Sequence, residues 1–362
     1  MNYFCIPADF KLETLKKLHE LNCKNDNFQV KELYGQISSD ITFPSGRNNI
    51  PSVSVSEVKT YIKEVHSYHM EFDYTLNGAH MNNIEFTPGG IKKIVDFFHL
   101  LEDIGVDSLT VSLVPLIELV KEYQFNFKIV VSTINQISNV NLATFYDNLG
   151  IDRLVIGESI NRDLKMIQAI KENVKCDLEA IANSLCSIYC PFRMQHYNQI
   201  AQCSTQPNNV ADSYYSNRCL ARRLDNPVEF MKVAFIRPED LNYYTQTGCN
   251  HFKIQGRGLI QQGDIIRTLE AYMNQSYTGN LLELLNLFGR KTNELYIDNK
   301  SLDGFLENYL TMNHCRYGCQ GCTCCQSYFE KSCFSNLQRT ALIKDSILQH
   351  DAFNQITRIK EG

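Results

Sequence analysis

The chain has 362 residues, enough to bury a sizeable core in one large α/β domain with an appendage or in two domains. Its 44% hydrophobic and 21% charged residues exclude a disordered protein, and a formal net charge of −5 provides no overall basic field for nucleic acid or an anionic membrane. No apolar run reaches the ~18–20 residues of a membrane span, and the first residues lack signal-peptide character. We therefore expect a cytoplasmic protein with no membrane partner.

Short apolar runs alternate with amphipathic stretches over the first three quarters of the chain. The runs predict eight strands, marked by Phe4, Val30, Phe72, Leu109, Phe127, Leu154, Leu178 and Phe252. Helical periodicity between them predicts helices at 12–21, 55–69, 90–101, 116–123, 142–149, 163–171, 191–200, 238–246 and 260–273. This alternation predicts an α/β fold, a TIM-like (βα)8 barrel that is irregular in its first two units, with an open doubly wound sheet as the alternative.

The pattern changes near residue 276, where the alternation of strands and helices ends. We expect the barrel to occupy residues 1–275 and a helical, cysteine-rich module to occupy residues 276–362. No glycine-rich phosphate loop follows any predicted strand, which disfavours a nucleotide-dependent enzyme.

Fourteen cysteines in a cytoplasmic chain indicate metal binding more than disulfides, and these cysteines form two clusters. In the first, Cys186 and Cys190 follow the seventh predicted strand, at the end of a barrel that carries chemistry. Cys203 and Cys219 complete a candidate ligand set for a [4Fe–4S] cluster, with Cys249 as a substitute. Zinc is the competing metal, because four thiolates suit it equally well.

The second cluster lies near the C-terminus and is denser. Cys315, Cys319, Cys322 and Cys325 fall within eleven residues, a spacing that indicates a metal centre. The spacing fits a second iron–sulfur cluster of ferredoxin type or a zinc ion, with Cys324 and Cys333 as spare thiols.

Polar residues follow several predicted strands, and a barrel would gather them into one pocket. Arg257 is a candidate clamp for a substrate carboxylate or phosphate, the alternative being a salt bridge to a nearby acid. Glu158 is a candidate general base, the alternative being a solvated loop acid, and Asn183 is a third candidate catalytic residue. Asn77 and Ser132 are expected beside them.

Three segments together resemble the collagenase-like peptidase family U32: the cysteine-bearing stretch after the seventh strand, residues 236–241 (IRPEDL) and residues 252–257 (FKIQGR). The resemblance spans residues 55–273 and implies a TIM-like barrel. Some members of this family resemble oxygen-independent hydroxylases that bind a [4Fe–4S] cluster through four cysteines. The chain departs from the family pattern in the short spacing of Cys186 and Cys190, and in Gln255, which stands where the family usually has Glu.

The resemblance implies an iron–sulfur-dependent, oxygen-independent modifying enzyme acting on a small molecule, a peptide or an RNA base. A peptidase is the first alternative, although no Gly-x-Ser-x-Gly or His-Glu-x-x-His motif is present. A non-catalytic metal-binding protein is the second. In that case the C-terminal thiols would bind a protein partner or exchange electrons with an electron donor.

Overall fold

The computed structural model describes residues 1–40, 43–47, 50–205, 214–290, 295–311, 315, 319 and 321–349. The strands, in chain order, are β1 (Asn2–Pro7), β2 (Phe28–Gly35), β3 (Glu71–Leu76), β4 (Ser108–Val111), β5 (Lys128–Val131), β6 (Arg153–Val155), β7 (Asp177–Ile181), β8 (Asn183–Ser187), β9 (Val233–Phe235), β10 (His251–Lys253), β11 (Leu295–Ile297) and β12 (Cys333–Ser335). Over this described part of the chain, eight parallel strands close a barrel in the order β1-β10-β7-β6-β5-β4-β3-β2. The predicted TIM-like barrel is confirmed, and the open-sheet alternative is wrong.

Helices surround the barrel, and most of them follow a strand. In chain order they are α1 (Leu12–Lys24), α2 (Val55–Ser67), α3 (Pro88–Asp103), α4 (Val114–Glu122), α5 (Val140–Asn148), α6 (Leu164–Asn173), α7 (Arg193–Thr205), α8 (Tyr214–Asp225), α9 (Leu241–Gln246), α10 (Ile265–Met273), α11 (Leu281–Leu285), α12 (Phe305–Thr311), α13 (Cys324–Ser332) and α14 (Leu337–Leu348). Local sequence sets several of their starts: Ser54 and Glu57 form a capping box on α2, and Thr87 caps α3. Among the residues described, no helix has the length and apolar character needed to cross a bilayer.

The apolar strand residues face the helices, which explains why they marked the strands so clearly. Phe4 packs against Phe28 and Phe252 on neighbouring strands and against Tyr272 of α10. All four side chains are buried in the main apolar core. The barrel wall is therefore sealed on its outer face by aromatic packing.

Charged side chains occupy the barrel interior, a feature that was not predicted. Arg153 pairs with Glu32 and with Glu179, whose Oε2 lies 2.7 Å from Arg153 Nε. Lys253 Nζ lies 3.5 Å from both Asp73 Oδ2 and Glu179 Oε1. Because these carboxylates are almost fully buried, the two cations are their main source of charge compensation.

The connection from β7 to β10 leaves the barrel and forms a small structure of its own. The predicted loop after the seventh strand is in part a strand, because β8 pairs antiparallel with β9, with Asn183 opposite Phe235 and Ser187 opposite Val233. The helix predicted over 191–200 begins at Arg193 and continues to Thr205. This excursion carries all four cysteines of the first predicted ligand set. Cys186 lies on β8, Cys203 on α7 and Cys219 on α8, and Cys190 lies between β8 and α7.

The C-terminal segment packs against the barrel. Leu302, Phe305 and Tyr328 belong to the same apolar core as the barrel strands. Arg237, in the stretch after β9, donates to the carbonyl of Asn299 at 2.9 Å and to Asp303 at 2.8 Å. The residues around the second cysteine cluster are thus anchored beside the β8–β9 pair.

Candidate functional site at the barrel mouth

A pocket opens where the barrel strands end, enclosing about 560 Å³ of space that is partly open to solvent. Four of the polar residues predicted to gather at the mouth line it: Asn77, Ser132, Glu158 and Arg257. Asn77 accepts from the backbone N–H of Gly46 at 3.0 Å, which ties the β2–α2 loop to the end of β3. The barrel thus converts strand-end residues distant in sequence into one surface.

Arg257 is a buried guanidinium surrounded by neutral oxygens. It donates to Thr75 Oγ1 at 2.7 Å, to Ser45 Oγ at 3.3 Å, to Asn77 Oδ1 at 3.5 Å, and to Gln36 Oε1. None of these partners is an acid, so the alternative of a salt bridge to a strand-end carboxylate is not found among the described residues. Burial lowers the pKa of Arg257 to about 10, because the charge has been taken out of water without a counter-ion.

A second arginine faces the same pocket. Arg47 donates to Gln255 Oε1 at 3.1 Å, and within the described ranges it has no carboxylate partner either. Lys253, which also lines the pocket, is by contrast paired with Asp73 and Glu179. Two arginines without acidic partners make the pocket suited to an anionic group such as a carboxylate or phosphate.

Glu158 is buried and bonded to several partners, so the alternative of a solvated loop acid is wrong, while its role as a general base stays a prediction. Its carboxylate pairs with Arg193, and it accepts from Gln136 Nε2 at 3.0 Å, Thr133 Oγ1 at 3.1 Å and Tyr197 OH at 3.2 Å. Its side chain is 2% exposed. Glu158 therefore positions Arg193 and Tyr197 at the base of α7 and acts as a positioning residue.

Asn183 makes several hydrogen bonds to backbone groups, and its catalytic role stays a prediction. Its Nδ2 donates to the carbonyls of Gln255 at 2.8 Å and Leu285 at 3.1 Å, while its Oδ1 accepts from the Gln255 backbone N–H at 2.7 Å. These bonds clamp the start of β8 to the loop after β10. Both N–H groups of the amide are engaged in these bonds, and Oδ1 keeps one further lone pair.

Three of the predicted thiols meet at one side of the mouth. Cys186 lies on β8, Cys190 follows it, and Cys219 on α8 forms a hydrogen bond with Cys190. That hydrogen bond lowers the pKa of Cys190, helped by the backbone N–H of Phe192, whereas it raises the pKa of Cys219. Burial raises the pKa of Cys186. The two thiols are close enough to influence each other's titration.

Two arginines surround these thiols. Arg193 donates to the carbonyl of Ser187, and Arg223 on α8 donates to the carbonyl of Leu185. Both lie within electrostatic reach of Cys190. Their positive charge favours thiolates at this place, which is a condition for binding a metal or cluster.

The other two predicted thiols are less central. Cys203 is buried on α7, whose next residue, Ser204, accepts from the backbone of Ser45 at the pocket rim. Cys249 precedes β10 at the opposite end of the barrel, where its Sγ lies 3.5 Å from the carbonyl of Leu178. The structure therefore separates Cys249 from the mouth and keeps Cys203 on the mouth side.

The thiols surround a space without converging on a point. In the described part of the chain, one trio of ligand-type atoms lies within 4.8 Å of one another, that of Cys5, Glu32 and Asp73, and no trio of cysteines does. Lys253 Nζ already neutralises that trio, lying 3.6 Å from Cys5 Sγ. A tetrahedral zinc ion would need sulfurs about 3.8 Å apart, given Zn–S bonds of about 2.3 Å. Thiols that are more widely spaced fit a multi-atom cluster better.

The second predicted set is brought together elsewhere. Cys315, Cys319, Cys322 and Cys325 line one cavity beside the β8–β9 pair, together with Cys324. Cys333 lies on β12, outside that cavity.

Sequence reasoning missed Arg47, Arg223 and the interior ion pairs. Arg47 lies in a loop with no recognisable motif, and Arg223 belongs to a polar helix whose contacts depend on the excursion. The interior pairs did leave a signal, since single charged residues such as Arg153 and Lys253 interrupt apolar strands. Which of them meet, however, depends on how the barrel closes.

These features define a TIM-like barrel protein with thiols grouped beside the pocket at its carboxyl end. Residues 43–199 match the family model described as Peptidase family U32. The chain is 31% identical over 333 residues to a protein of Methanocaldococcus jannaschii described as an uncharacterized protease. The aligned region covers 90% of this chain and 97% of that relative. The chain therefore belongs to peptidase family U32, as the resemblance indicated.

A solved structure of the same family has a similar fold. The U32 peptidase Mk0906 is 16% identical, with a TM-score of 0.51, over 71% of this chain and 93% of that chain. At this level of identity, the similarity shows the shared barrel.

Proposed function

We propose that this protein is an iron–sulfur-dependent enzyme that modifies an anionic substrate without oxygen, by hydroxylation or a related reaction. The grouping of Cys186, Cys190 and Cys219 at the barrel mouth, beside a pocket with two uncompensated arginines, is the observation that carries the proposal. A [4Fe–4S] cluster takes four thiolates, and Cys203 on the mouth side of α7 is the fourth ligand we assign. The substrate is a small molecule, a peptide or an RNA base.

The residues present fit such a cluster. The sulfurs surround a space, and Arg193 and Arg223 offset the negative charge of bound thiolates. When bound, the cluster would supply one-electron chemistry that side chains cannot perform. No other cofactor is required by the proposal.

The chain's own residues do the binding and the positioning. Arg257 and Arg47 would hold the anionic group of the substrate, because their guanidinium charges lack carboxylate partners among the described residues. Glu158 fixes Arg193 and so orients the stretch that carries Cys190. Tyr34, whose ring lies 5.9 Å from the Arg257 guanidinium carbon, closes the floor of the pocket.

The first test is metal content after anaerobic purification. We expect a broad visible absorbance and about four iron atoms per mouth site in the wild-type chain, lost from that site in a C190A/C219A variant. The control is C23A, because Cys23 is an exposed thiol on α1, remote from both clusters. Full retention of iron by C190A/C219A would contradict the assignment.

The second test is activity. The cluster-loaded, oxidised protein would be incubated anaerobically with small-molecule, peptide and RNA fractions and an added quinone as electron acceptor. The acceptor is needed because replacing a C–H bond by a C–OH bond with water as the oxygen source releases two electrons and two protons. Products with one added oxygen atom, labelled when the reaction is run in H2(18)O, would be sought by mass spectrometry. We expect a product in one fraction from wild type and none from C190A/C219A. R257Q should lose most of the turnover while keeping its iron. Peptide cleavage without any modified product would favour the peptidase alternative and refute the proposal.

A further inference from the structure

The C-terminal cysteines belong to a second site that the mouth chemistry does not use. Five thiols line one pocket, those of Cys315, Cys319, Cys322, Cys324 and Cys325, and the pocket spans about 710 Å³ of space that is partly open to solvent. The Cys322 N–H donates to the carbonyl of Cys319 at 3.1 Å, so these two residues lie side by side, and both line the same space.

Charged and polar groups from the barrel side complete this cavity. Tyr309 of α12 forms a hydrogen bond with the thiol of Cys315. Lys232, just before β9, lines the cavity and lies within electrostatic reach of Cys319 and Cys325. Hydrogen-bond donors and cations around clustered thiols are what a bound thiolate centre needs to balance its negative charge.

Arg162 supports the same site from beneath. It is 2% exposed, donates to the carbonyls of Met231 at 2.9 Å and Val233 at 2.6 Å, and lies 5.4 Å from the ring centroid of Tyr309. Its charge acts on Cys325. A buried arginine held by carbonyls beside grouped thiols is costly to the apo protein, and a bound anionic centre would offset that cost.

The spacing of these thiols distinguishes between metals. No three cysteine sulfurs in the described residues lie within 4.8 Å of one another, whereas tetrahedral zinc would draw four sulfurs to about 3.8 Å. The thiolates of a cubane bind four different iron atoms and stand farther apart. The sulfurs are thus not gathered as a bound zinc ion would require, and the cavity that they line has room for a multi-atom cluster.

We propose that Cys315, Cys319, Cys322 and Cys325 hold a second [4Fe–4S] cluster next to the barrel-mouth site. Cys324 lines the same cavity, and we leave it out of the set because Cys319, Cys322 and Cys325 repeat a Cys-x-x-Cys spacing that Cys324 does not share. The site stands on its own residues and does not depend on the mouth cluster.

The two sites are in direct structural contact. The backbone N–H of Ile188, two residues before Cys190, donates to the carbonyl of Lys232 at 3.1 Å, and the side chain of Lys232 lines the second cavity. Tyr189, adjacent to Cys190, lies within electrostatic reach of Tyr309. One hydrogen-bonded stretch of backbone therefore links the ligands of one site to the wall of the other.

The test is the number of iron, sulfide and zinc atoms per chain after anaerobic reconstitution of the full-length protein. We expect about eight iron atoms in wild type, about four in C319A/C322A and about four in C190A/C219A. The matched control is C333A, which removes a partly buried thiol of the same segment outside the cavity and should retain about eight.

The outcomes separate this inference from the proposed function. Iron that is unchanged in C190A/C219A but halved in C319A/C322A would refute the mouth cluster alone. One zinc per chain, lost in C319A/C322A, would overturn the second iron–sulfur cluster. Because a double variant can fail to fold, each iron count is taken on protein whose circular dichroism matches wild type, and the single variants C190A and C319A replace a double variant that does not fold. About four iron atoms in wild type, with all four lost in C190A/C219A, would also overturn it.

Discussion

The charged barrel interior predicts opposite consequences for two substitutions. Among the described residues, three carboxylates (Glu32, Asp73 and Glu179) face two cations (Arg153 and Lys253) in the buried barrel interior, which gives a formal charge of −1 when all are ionised. Within that part of the chain, R153M would raise this excess to −2, leave Glu32 without an ion pair and leave Glu179 paired with Lys253 alone. The two glutamate side chains are 1% and 0% exposed. Breaking a buried pair from one side costs about 3–5 kcal/mol.

Asp73 should behave differently, because its charge is the one in excess. Burial raises the pKa of Asp73 to about 6, and Glu32 adds to the shift while Lys253 opposes it. D73N removes the extra negative charge and keeps the shape, while weakening one ion pair and the hydrogen bond from Thr110. We expect a change within about 1 kcal/mol at pH 7, the size of a single net hydrogen bond.

Urea unfolding at pH 7, followed by circular dichroism and extrapolated linearly, measures both free energies of unfolding. The expected difference between the variants is at least about 2 kcal/mol, with R153M the less stable. Equal losses in the two variants, or a loss below about 1 kcal/mol for R153M, would show that the ion pairs do not govern the barrel interior.

Three further outcomes follow from local geometry. A Cβ at Gly90 would lie 2.0 Å from the carbonyl oxygen of Ile84, whereas one at Gly89 meets nothing within 4 Å. Thermal unfolding should therefore show G90A destabilised by more than about 1 kcal/mol and G89A stabilised by up to about 1 kcal/mol, and the same sign for both would contradict this. Burial lowers the pKa of His251 to about 3 in the folded protein, whereas the unfolded chain has the ordinary value of about 6.5. Between these two values the unfolded chain binds a proton that the folded protein does not, so the free energy of unfolding falls as the pH drops from about 6.5 towards 3. H251Q should flatten that part of the pH profile, and an unchanged slope would refute the assignment. S54A, which removes the capping box of α2, should cost about 1 kcal/mol in the same unfolding assay.

The barrel could be predicted because its pattern is local. Each strand has a buried apolar residue facing the helices, as Phe72 and Leu109 do, and each helix has its own periodicity and cap. Repetition of that unit is enough to indicate a parallel barrel. The cysteine clusters could be predicted for a similar reason, since their spacing is a property of short stretches.

The remaining features depend on contacts between distant residues. The strand formed by residues 183–187 looked like a loop because its partner, residues 233–235, lies far along the chain and pairs with it antiparallel. Glu158 and Asn183 were visible as polar strand-end residues, but their full sets of hydrogen bonds come from other elements. The residue types therefore predicted which part of the chain forms the mouth pocket. Which hydrogen bonds each side chain makes there depends on how the barrel closes.

The thiol-bearing excursion leaves the barrel after Ile181 and rejoins it before His251, yet the strands on either side of it pair directly, with Ile181 opposite Lys253 and Glu179 opposite His251. The residues that close the barrel are thus different from the residues that carry the thiols of the mouth. We expect oxidation of the thiols by air to abolish the proposed enzymatic activity while the melting temperature of the protein changes little. A preparation whose secondary structure is intact could then already be inactive. Under the proposed function, activity and metal content therefore have to be measured on protein that was kept anaerobic throughout.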